Sequence, residues 1–291
     1  MRSALSELEV IRPRSLAHAL RALKAGNGER PVPLAGGTDL LVYLNAGTPP
    51  GRRFLDLWGL GELRGIRAAR AGVTIGALTT FREIRAHPVI RQRLPSLAAA
   101  AAEIGALQIQ NRATLGGNIA NASPAGDSLP VLMAHDAVIL VRSIRGARAI
   151  AYEQLFRGYR DLALEPDELI TGVRLPFPPP RAIPFFRKVG TRRAQSISKV
   201  VFCGLLHTGR DGRVDLARLA WGSVAPVILR ARRAEQALLG RTPAAALADA
   251  RAALAHDLAP IDDIRSERAY RLAVAANLLA QLVRASPAKR I

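Results

Sequence analysis

Two Gly-Gly pairs, each set between apolar stretches, constrain the fold of this chain more than any other feature. The first lies in LAGGTDLL (residues 34–41) and the second in TLGGNIAN (residues 114–121). Glycine takes positive φ at no steric cost and lets another group approach the backbone closely. Each pair follows an apolar or β-branched residue, so we expect a turn leaving a strand at both places.

Such turns serve either as ligand sites or as plain structural turns. Successive N–H groups in a Gly-rich turn can converge on an anion, and Thr38 and Asn118 add side-chain donors beside the two pairs. One pair alone indicates no more than a turn. The two together, each followed by small polar residues, favour a site that holds the phosphates of a dinucleotide from opposite sides.

The charge of the chain is unusual. Its formal net charge is +19, and four of its 42 basic residues are lysine, so arginine carries nearly all of the excess. This excess indicates either an anionic partner or a coding bias toward Arg and Ala. The arginines are scattered and form no basic block of the kind found in nucleic-acid tails, which favours the second interpretation.

The cysteine content limits the cross-links and metal sites that this chain can form. The single cysteine, Cys203, excludes an intrachain disulfide framework and any Cys-rich zinc or iron–sulfur site held by this chain alone. It lies in the apolar segment KVVFCGLL, which predicts a small buried side chain.

The start, MRSALSELEVIRP, has acids and a proline where a signal peptide needs an apolar core. The most apolar tract, SLAAAAAEIGAL, is too short to span a bilayer. We therefore expect a cytoplasmic protein without a transmembrane segment.

Hydrophobic periodicity predicts a mixed α+β fold. The first segment reads as strand, helix and strand, with Ser15 capping the helix and Gly26 ending it. Strands and helices then continue to a Pro-rich stretch, PFPPPRAIP, at residues 176–184. Beyond it, antiparallel strands joined by the hairpin turn GRDG precede three helical patterns.

The Pro-rich stretch is the best candidate for a domain boundary. We expect an N-terminal domain over residues 1–176, with subdomains of about residues 1–58 and 59–176, and a C-terminal α+β domain over residues 182–291. These sizes are ordinary for domains of globular proteins.

Signatures of several other site classes are absent. The sequence has no G-x-G-x-x-G after a strand, no G-x-x-x-x-G-K-[ST] and no H-E-x-x-H. It therefore lacks the patterns typical of Rossmann NAD sites, P-loop NTPases and zinc metalloproteases. The five histidines are dispersed and show no metal-ligand spacing. We expect neither a metal site nor an acid–base catalytic residue in this chain.

Asp127 has two possible roles. It lies nine residues after Asn118, at the start of the predicted helix DSLPVLMAHD. A carboxylate there can cap the helix, or it can accept hydrogen bonds from a ribose, as acidic residues do in dinucleotide sites. Both roles remain open on the residues alone.

Four segments occur in the order and spacing of one known family: PLAGGTDLLVYL, TIGALTTF, NRATLGGNIANASPAGDSLPVLMAHDAVILV and FRGYRDLALEPDELITGVRLP. They resemble the FAD-binding subunit or domain of the molybdenum hydroxylases, the medium-subunit family of xanthine dehydrogenase and carbon monoxide dehydrogenase. The resemblance runs from about residue 5 to the C-terminus. It implies the two-part FAD-binding fold of the vanillyl-alcohol oxidase (PCMH) type, followed by a smaller domain of antiparallel sheet and helices.

The resemblance also implies which residues bind FAD without a covalent bond. The first loop wraps the pyrophosphate, and the second segment meets it from the other side. Asp127 binds the adenosine portion through its ribose, and Ile104 lies near the cofactor. Ile170 and Lys188 line the flavin ring, where Lys188 can favour a negatively charged reduced flavin. The full predicted set is Leu34, Ala35, Gly36, Gly37, Thr38, Asp39, Leu40, Ile104, Thr114, Leu115, Gly116, Gly117, Asn118, Asn121, Asp127, Ile170 and Lys188.

The chain departs from the family pattern in three ways. Thr38 stands where some relatives carry His. With one cysteine, the chain cannot hold the extra iron–sulfur cluster of some members. The iron–sulfur and molybdopterin domains of the long fused forms are also missing. The resemblance therefore implies a complex with a small subunit carrying 2Fe–2S clusters and a large molybdopterin subunit, arranged as a dimer of heterotrimers.

The expected function is that of an FAD-binding electron-transfer subunit, which passes electrons from iron–sulfur clusters of a partner through FAD to a final acceptor. The alternatives are a self-contained FAD-dependent oxidase or reductase, a basic nucleic-acid-binding protein, and a scaffold subunit with a decayed site. An aromatic content of 4% and the lack of a nucleic-acid motif disfavour the second alternative. The intact Gly-Gly segments disfavour the third. The substrate and the acceptor (NAD, oxygen, a quinone or a carrier protein) stay open.

Overall fold

The computed structural model describes residues 7–24, 30–192 and 194–286. Within these ranges the chain forms a small parallel sheet, a larger antiparallel sheet with helices, and a C-terminal antiparallel sheet with helices on one face. The predicted α+β architecture, a two-part N-terminal half followed by an antiparallel sheet with helices, is confirmed. No helix in the same ranges combines the length and apolar character that a membrane crossing requires.

The first part of the chain alternates strands and helices, as the sequence predicts. Its elements are β1 (Glu9–Ile11), α1 (Leu16–Lys24), β2 (Val32–Leu34), α2 (Leu40–Asn45) and β3 (Arg53–Asp56). The strands pair in parallel in the order β1, β3, β2. Ser15 caps α1, since its hydroxyl accepts a hydrogen bond from the N–H of His18 at 3.2 Å. The predicted end of this helix at Gly26 lies outside the described residues.

The second part is an antiparallel sheet with helices packed against it. Its strands are β4 (Ile66–Ala69), β5 (Gly72–Gly76), β6 (Val138–Ser143), β7 (Gly146–Ala151) and β10 (Leu169–Pro176), with a separate pair formed by β8 (Phe156–Gly158) and β9 (Asp161–Leu162). The sheet order is β4, β5, β10, β6, β7, so the strand that comes last in sequence lies at the centre.

Short helices connect β5 to β6 and bury one side of this sheet. They are α3 (Phe81–Ala86), α4 (Pro88–Arg93), α5 (Pro95–Glu103), α6 (Leu107–Gln110), α7 (Leu115–Asn121) and α8 (Leu129–Ala134). The predicted helices near residues 81–87 and 93–105 correspond to α3 and α5. A single hydrophobic core joins α3, α4, α5, α7 and α8 to β5, β6 and β10.

The C-terminal part is a second antiparallel sheet with helices on one face. Its elements are β11 (Ile183–Val189), β12 (Val200–Thr208), β13 (Val214–Gly222), β14 (Leu229–Arg230), α9 (Arg232–Leu238), α10 (Pro243–Asp257) and α11 (Arg268–Ala285). The strands follow sequence order, and the predicted hairpin turn at residues 209–212 joins β12 to β13.

The side chains of β12 alternate between two cores, as the pleat of a strand requires. Val200 and Phe202 pack with α9, α10 and α11, whereas Val201 and Cys203 belong to the core of the second part. The thiol of Cys203 is fully buried, which raises its pKa to about 12 and confirms the predicted small buried side chain.

The hydrophobic core of the second part includes residues on both sides of the Pro-rich stretch at 176–184. The domain limits proposed at this stretch therefore stay a prediction, and so does the division near residue 58.

Candidate cofactor-binding site

The first Gly-Gly pair lies in a loop between β2 and α2, at the end of a strand as predicted. A Cβ atom on Gly36 would lie 1.9 Å from the carbonyl oxygen of Arg112, so the two backbone segments can approach this closely because Gly36 has no side chain. Gly37 has a φ of +77°, which L side chains rarely adopt. The loop therefore turns at Gly37 and, at Gly36, packs against the segment that leads into the second pair.

The backbone of this loop presents a row of donors. Within the described residues, the N–H groups of residues 35–39 donate no hydrogen bond. All five residues line a cavity of about 650 Å³, called here the inner cavity. Backbone N–H groups without a partner in the protein are open to an acceptor on a ligand, and successive N–H groups of a loop can bind an anion. The first loop can therefore accept a phosphate group.

The second Gly-Gly pair lies inside helix α7, which corrects the predicted turn after a strand. Thr114 caps this helix, since its hydroxyl accepts a hydrogen bond from the N–H of Gly117 at 3.1 Å. A Cβ atom on Gly116 would lie 2.7 Å from the Cβ of Ala77, so this glycine lets α7 pack against the segment after β5. The prediction was wrong because paired glycines usually signal a turn, whereas here they permit close packing of a helix.

The first turn of α7 offers no free backbone donor. The N–H groups of residues 115–118 all donate hydrogen bonds within the protein, to Thr79, Ala77 and Thr114. An anion between the two segments would therefore take its backbone donors from the first loop, with α7 as a wall of small residues. Leu115, a member of the predicted set, is fully buried in the core beneath this wall.

The two segments, distant in sequence, form one cleft. A Cβ atom on Gly117 would lie 3.9 Å from the Cβ of Ala35. The inner cavity lies along both segments and includes most of the predicted site. The predicted residues that line it are Leu34, Ala35, Gly36, Gly37, Thr38, Asp39, Leu40, Ile104, Thr114, Gly116, Gly117, Asn118, Asn121, Asp127 and Ile170.

A second cavity of about 750 Å³, called here the outer cavity, adjoins the inner one. Residues of the N-terminal half line one side of it, and C-terminal residues such as Lys188, Ser198 and Arg271 line the other. Seven residues line both cavities and mark their junction: Asp39, Tyr43, Ile109, Asn121, Ser123, Ala125 and Asp127. A ligand as long as a dinucleotide can extend through this junction from one cavity into the other.

A buried ion pair lies at the junction. The Nζ atom of Lys188 lies 2.6 Å from Oδ2 of Asp127 and 3.0 Å from the carbonyl oxygen of Glu103. Burial raises the pKa of the Asp127 carboxyl to about 6, although the charge of Lys188 acts in the opposite direction. Within the described residues, Oδ1 of Asp127 is buried without a hydrogen-bond partner. Since buried polar atoms are normally satisfied, this oxygen is a candidate acceptor for a ligand.

The ion pair brings together two residues to which the resemblance gave separate roles. The resemblance put Asp127 at the adenosine, and Lys188 together with Ile170 at the flavin ring. In the structure, Asp127 and Lys188 touch, whereas Ile170 lines the inner cavity and Lys188 the outer one. Asp127 lines both cavities, so the roles that the resemblance implies for the three residues stay a prediction. The pairing depends on how β11 packs beside α5 and α8, which no local sequence pattern encodes.

Among the lining residues that the sequence reasoning missed, two are joined by a hydrogen bond, Tyr43 and Arg160. Tyr43 lies on α2, and its hydroxyl donates a hydrogen bond to Oδ1 of Asn121 at 3.4 Å. Arg160, in the turn between β8 and β9, donates a hydrogen bond to the hydroxyl of Tyr43. The one sequence signal that Tyr43 belongs to the site is its spacing of four residues from Asp39, because residues four apart lie on the same face of a helix. Arg160 has no such signal, since its contact spans 117 residues of sequence.

Comparison with known families identifies the class of protein that has this fold and cleft. Residues 6–178 match the FAD binding domain in molybdopterin dehydrogenase, and residues 185–286 match the CO dehydrogenase flavoprotein C-terminal domain. The chain therefore belongs to the FAD-binding subunits of the molybdenum hydroxylase family, and FAD is its cofactor. The predicted family and cofactor are confirmed.

Individual relatives agree over nearly the whole chain. The xanthine dehydrogenase FAD-binding subunit of Escherichia coli O157:H7 is 33% identical over 267 residues, which cover 90% of this chain and 89% of that protein. The carbon monoxide dehydrogenase medium chain of Hydrogenophaga pseudoflava is 30% identical over 279 residues, 95% of this chain and 96% of that one. A solved structure of carbon monoxide dehydrogenase from H. pseudoflava, which lacks the Mo-pyranopterin moiety of its molybdenum cofactor, matches with a TM-score of 0.91 at 29% identity, over 96% of this chain and 97% of that chain. The predicted oxidoreductase class is thereby confirmed.

The residues present fit FAD. The N–H groups of residues 35–39 can bind the diphosphate. The unpartnered Oδ1 of Asp127 offers an acceptor to a hydroxyl or ring N–H. Apolar side chains such as Leu78 and Ile170 line the inner cavity and suit a planar ring.

Proposed function

We propose that this chain is the electron-transfer subunit of a multi-subunit molybdenum hydroxylase. In this role it receives electrons from 2Fe–2S clusters of a small partner subunit and passes them through FAD to a final acceptor. Substrate is oxidised at molybdopterin in a large partner subunit. The observation that carries the proposal is the row of N–H groups without acceptors at residues 35–39, which lines a cleft in a chain of this FAD-binding family.

The proposal assigns the diphosphate of FAD to the space between the first loop and α7. The N–H groups of residues 35–39 and the hydroxyl of Thr38 donate to the phosphate oxygens. Gly117 adds no side chain to the opposite wall. Oδ1 of Asn118 accepts a hydrogen bond from Ser128 at 2.7 Å, which leaves the amide NH₂ of Asn118 to donate to the ligand. No covalent attachment is involved.

We further assign the isoalloxazine ring to the outer cavity and the adenosine to the inner one. The outer cavity offers the charged groups of Lys188 and Asp127, whereas apolar residues such as Leu78 and Ile170 give the inner cavity a surface suited to adenine. When bound, FAD supplies the acceptance and release of electrons. Lys188 then provides a cation that stabilises negative charge on the ring, and Asp127 holds Lys188 in position.

The rim of the outer cavity supports docking of a partner subunit. Four apolar residues that line this cavity are more than half exposed: Val42, Tyr159, Ile197 and Ile261. Clustered apolar exposure of this kind marks protein interfaces. A partner seated on this rim would bring its clusters close to the proposed flavin position. A dimer of heterotrimers is the assembly that we propose.

Purification of the full-length chain, followed by reconstitution with FAD, tests the proposal. We expect one FAD per chain, released intact when the protein is denatured, and no oxidation of organic substrates by this chain alone. Co-expression with iron–sulfur and molybdopterin subunits should give substrate-dependent reduction of an acceptor dye. A chain that takes up no flavin would refute the proposal, and turnover by the isolated chain would favour a self-contained oxidase or reductase.

A further inference from the structure

A chain of hydrogen bonds joins three segments at the junction of the two cavities. The guanidinium of Arg160 donates to the hydroxyl of Tyr43 on α2. That hydroxyl donates to Oδ1 of Asn121, at the end of α7, at 3.4 Å. Tyr43 and Asn121 line both cavities, and Arg160 lines the outer one. Arg160 is thus held beside the place where the proposed diphosphate lies.

Arg160 differs from the other cations of the cleft in its partners. The remaining cations among the described residues that line the two cavities are Lys188, Arg265 and Arg271. Lys188 pairs with Asp127 at 2.6 Å, and both arginines pair with Asp263, at 3.4 and 2.6 Å. Within the same part of the chain, Arg160 forms no salt bridge with a carboxylate. Its charge is therefore available to an anionic ligand.

The charge of Arg160 also reaches the first loop. Burial raises the pKa of Asp39, and the positive charge of Arg160 offsets part of that rise. The N–H row of this loop consists of neutral donors, whereas the diphosphate of FAD is doubly negative. A guanidinium binds phosphate oxygens through charge-assisted, often bidentate hydrogen bonds.

The backbone at Arg160 has an uncommon conformation. Its φ is +55°, in the left-handed region that non-glycine residues seldom occupy. Such conformations cost free energy and concentrate at ligand-binding positions, where the direction of a side chain matters. Here the conformation accompanies a side chain that reaches from a surface turn to the cleft.

We propose that Arg160 binds the diphosphate of FAD and that Tyr43 orients it. This assignment rests on the proposed function, because it requires the diphosphate to lie at the first loop. On binding, the guanidinium donates to phosphate oxygens instead of to the Tyr43 hydroxyl, while Tyr43 keeps its contact with Asn121. Arg160 supplies the positive charge that the N–H row lacks and covers the middle of the dinucleotide.

Titration of the full-length chain with FAD, followed by flavin fluorescence, tests the assignment. Arg160→Met should raise the Kd for FAD about 10- to 100-fold, as expected for loss of a charge-assisted contact. Arg160→Lys keeps the charge but not the planar fork and should raise Kd by less. The dependence of log Kd on log salt concentration should become shallower in Arg160→Met, because salt screens the lost interaction.

Arg67→Met is the matched control. Arg67 is an exposed arginine on β4 that lines neither cavity, so its loss changes net charge equally and should leave Kd and the salt dependence unchanged. Since Arg160 is exposed, Arg160→Met should keep the wild-type melting temperature. An unchanged Kd in Arg160→Met, or a raised Kd with the wild-type salt dependence, would overturn the assignment and leave the proposed function standing. Failure of the wild-type chain to bind FAD would overturn both.

Discussion

The ammonium group of Lys188 on β11 lies 2.6 Å from the carboxylate of Asp127 beside α8, and both side chains are nearly inaccessible to water. This contact joins the C-terminal sheet to the N-terminal half inside the cofactor cleft. An ion pair removed from water stabilises little by itself, because desolvation of both charges opposes their attraction. The pair lies at the junction of the two cavities, and in the proposed arrangement it holds charge next to the cofactor.

Stability should fall as pH rises through the titration of Asp127. Burial raises the pKa of this carboxyl from 3.8 to about 6, so the folded chain holds the proton more tightly than the unfolded chain does. The resulting stabilisation is fully present below about pH 4 and is lost as pH rises through about 6. The loss is on the order of 2–3 kcal/mol. Urea denaturation of wild type and Asp127→Asn at about pH 4 and about pH 7 measures it. The Asn variant should lack this component, and parallel pH profiles of the two proteins would contradict the raised pKa.

Replacement of Lys188 by Met should make the reduction potential of bound FAD more negative. If the flavin ring lies in the outer cavity, Lys188 stabilises its negatively charged reduced form, and loss of the cation should shift the potential on the order of 30–90 mV. Spectroelectrochemical titration measures the shift. Ile170→Val, which removes one methylene from the inner cavity, is the control and should weaken FAD binding slightly without moving the potential. A potential that responds to Ile170→Val and not to Lys188→Met would reverse the assigned orientation.

Local sequence patterns predicted most of the helices and strands, whereas the contacts within the candidate site depend on packing between segments that are distant in sequence. Periodicity and capping predicted α1, the strand before the first Gly-Gly pair and the hairpin at residues 209–212, because these depend on neighbouring residues. The same logic misassigned the second pair, since the reason for Gly116 is the approach of Ala77 from another segment. The pairing of Lys188 with Asp127 likewise depends on sheet packing that sequence periodicity does not encode.

Substitution of Gly36 by Ala should weaken both the fold and FAD binding. The added Cβ would lie 1.9 Å from the carbonyl oxygen of Arg112, and a backbone atom cannot rotate away as a side chain can. We expect a loss of about 1–3 kcal/mol in the free energy of unfolding and a raised Kd for FAD, measured by denaturant titration and flavin fluorescence. Gly59→Ala is the control, since nothing lies within 4 Å of a Cβ at that position. Equal stability of the two variants would show that the loop tolerates displacement from Arg112.

Replacement of Ile261 by Asp should impair assembly with partner subunits and leave FAD binding intact. Ile261 is 67% exposed on the rim of the outer cavity, so the change should alter the stability of the chain by about 0.5 kcal/mol or less. Burying the new carboxylate in an interface would be strongly unfavourable. Size-exclusion chromatography of the co-expressed subunits should show a reduced yield of complex. Ile144→Asp, in the turn between β6 and β7, provides an exposed apolar control that lines neither cavity. A full yield of complex from Ile261→Asp, or an equal loss from both variants, would place the docking surface elsewhere on the chain.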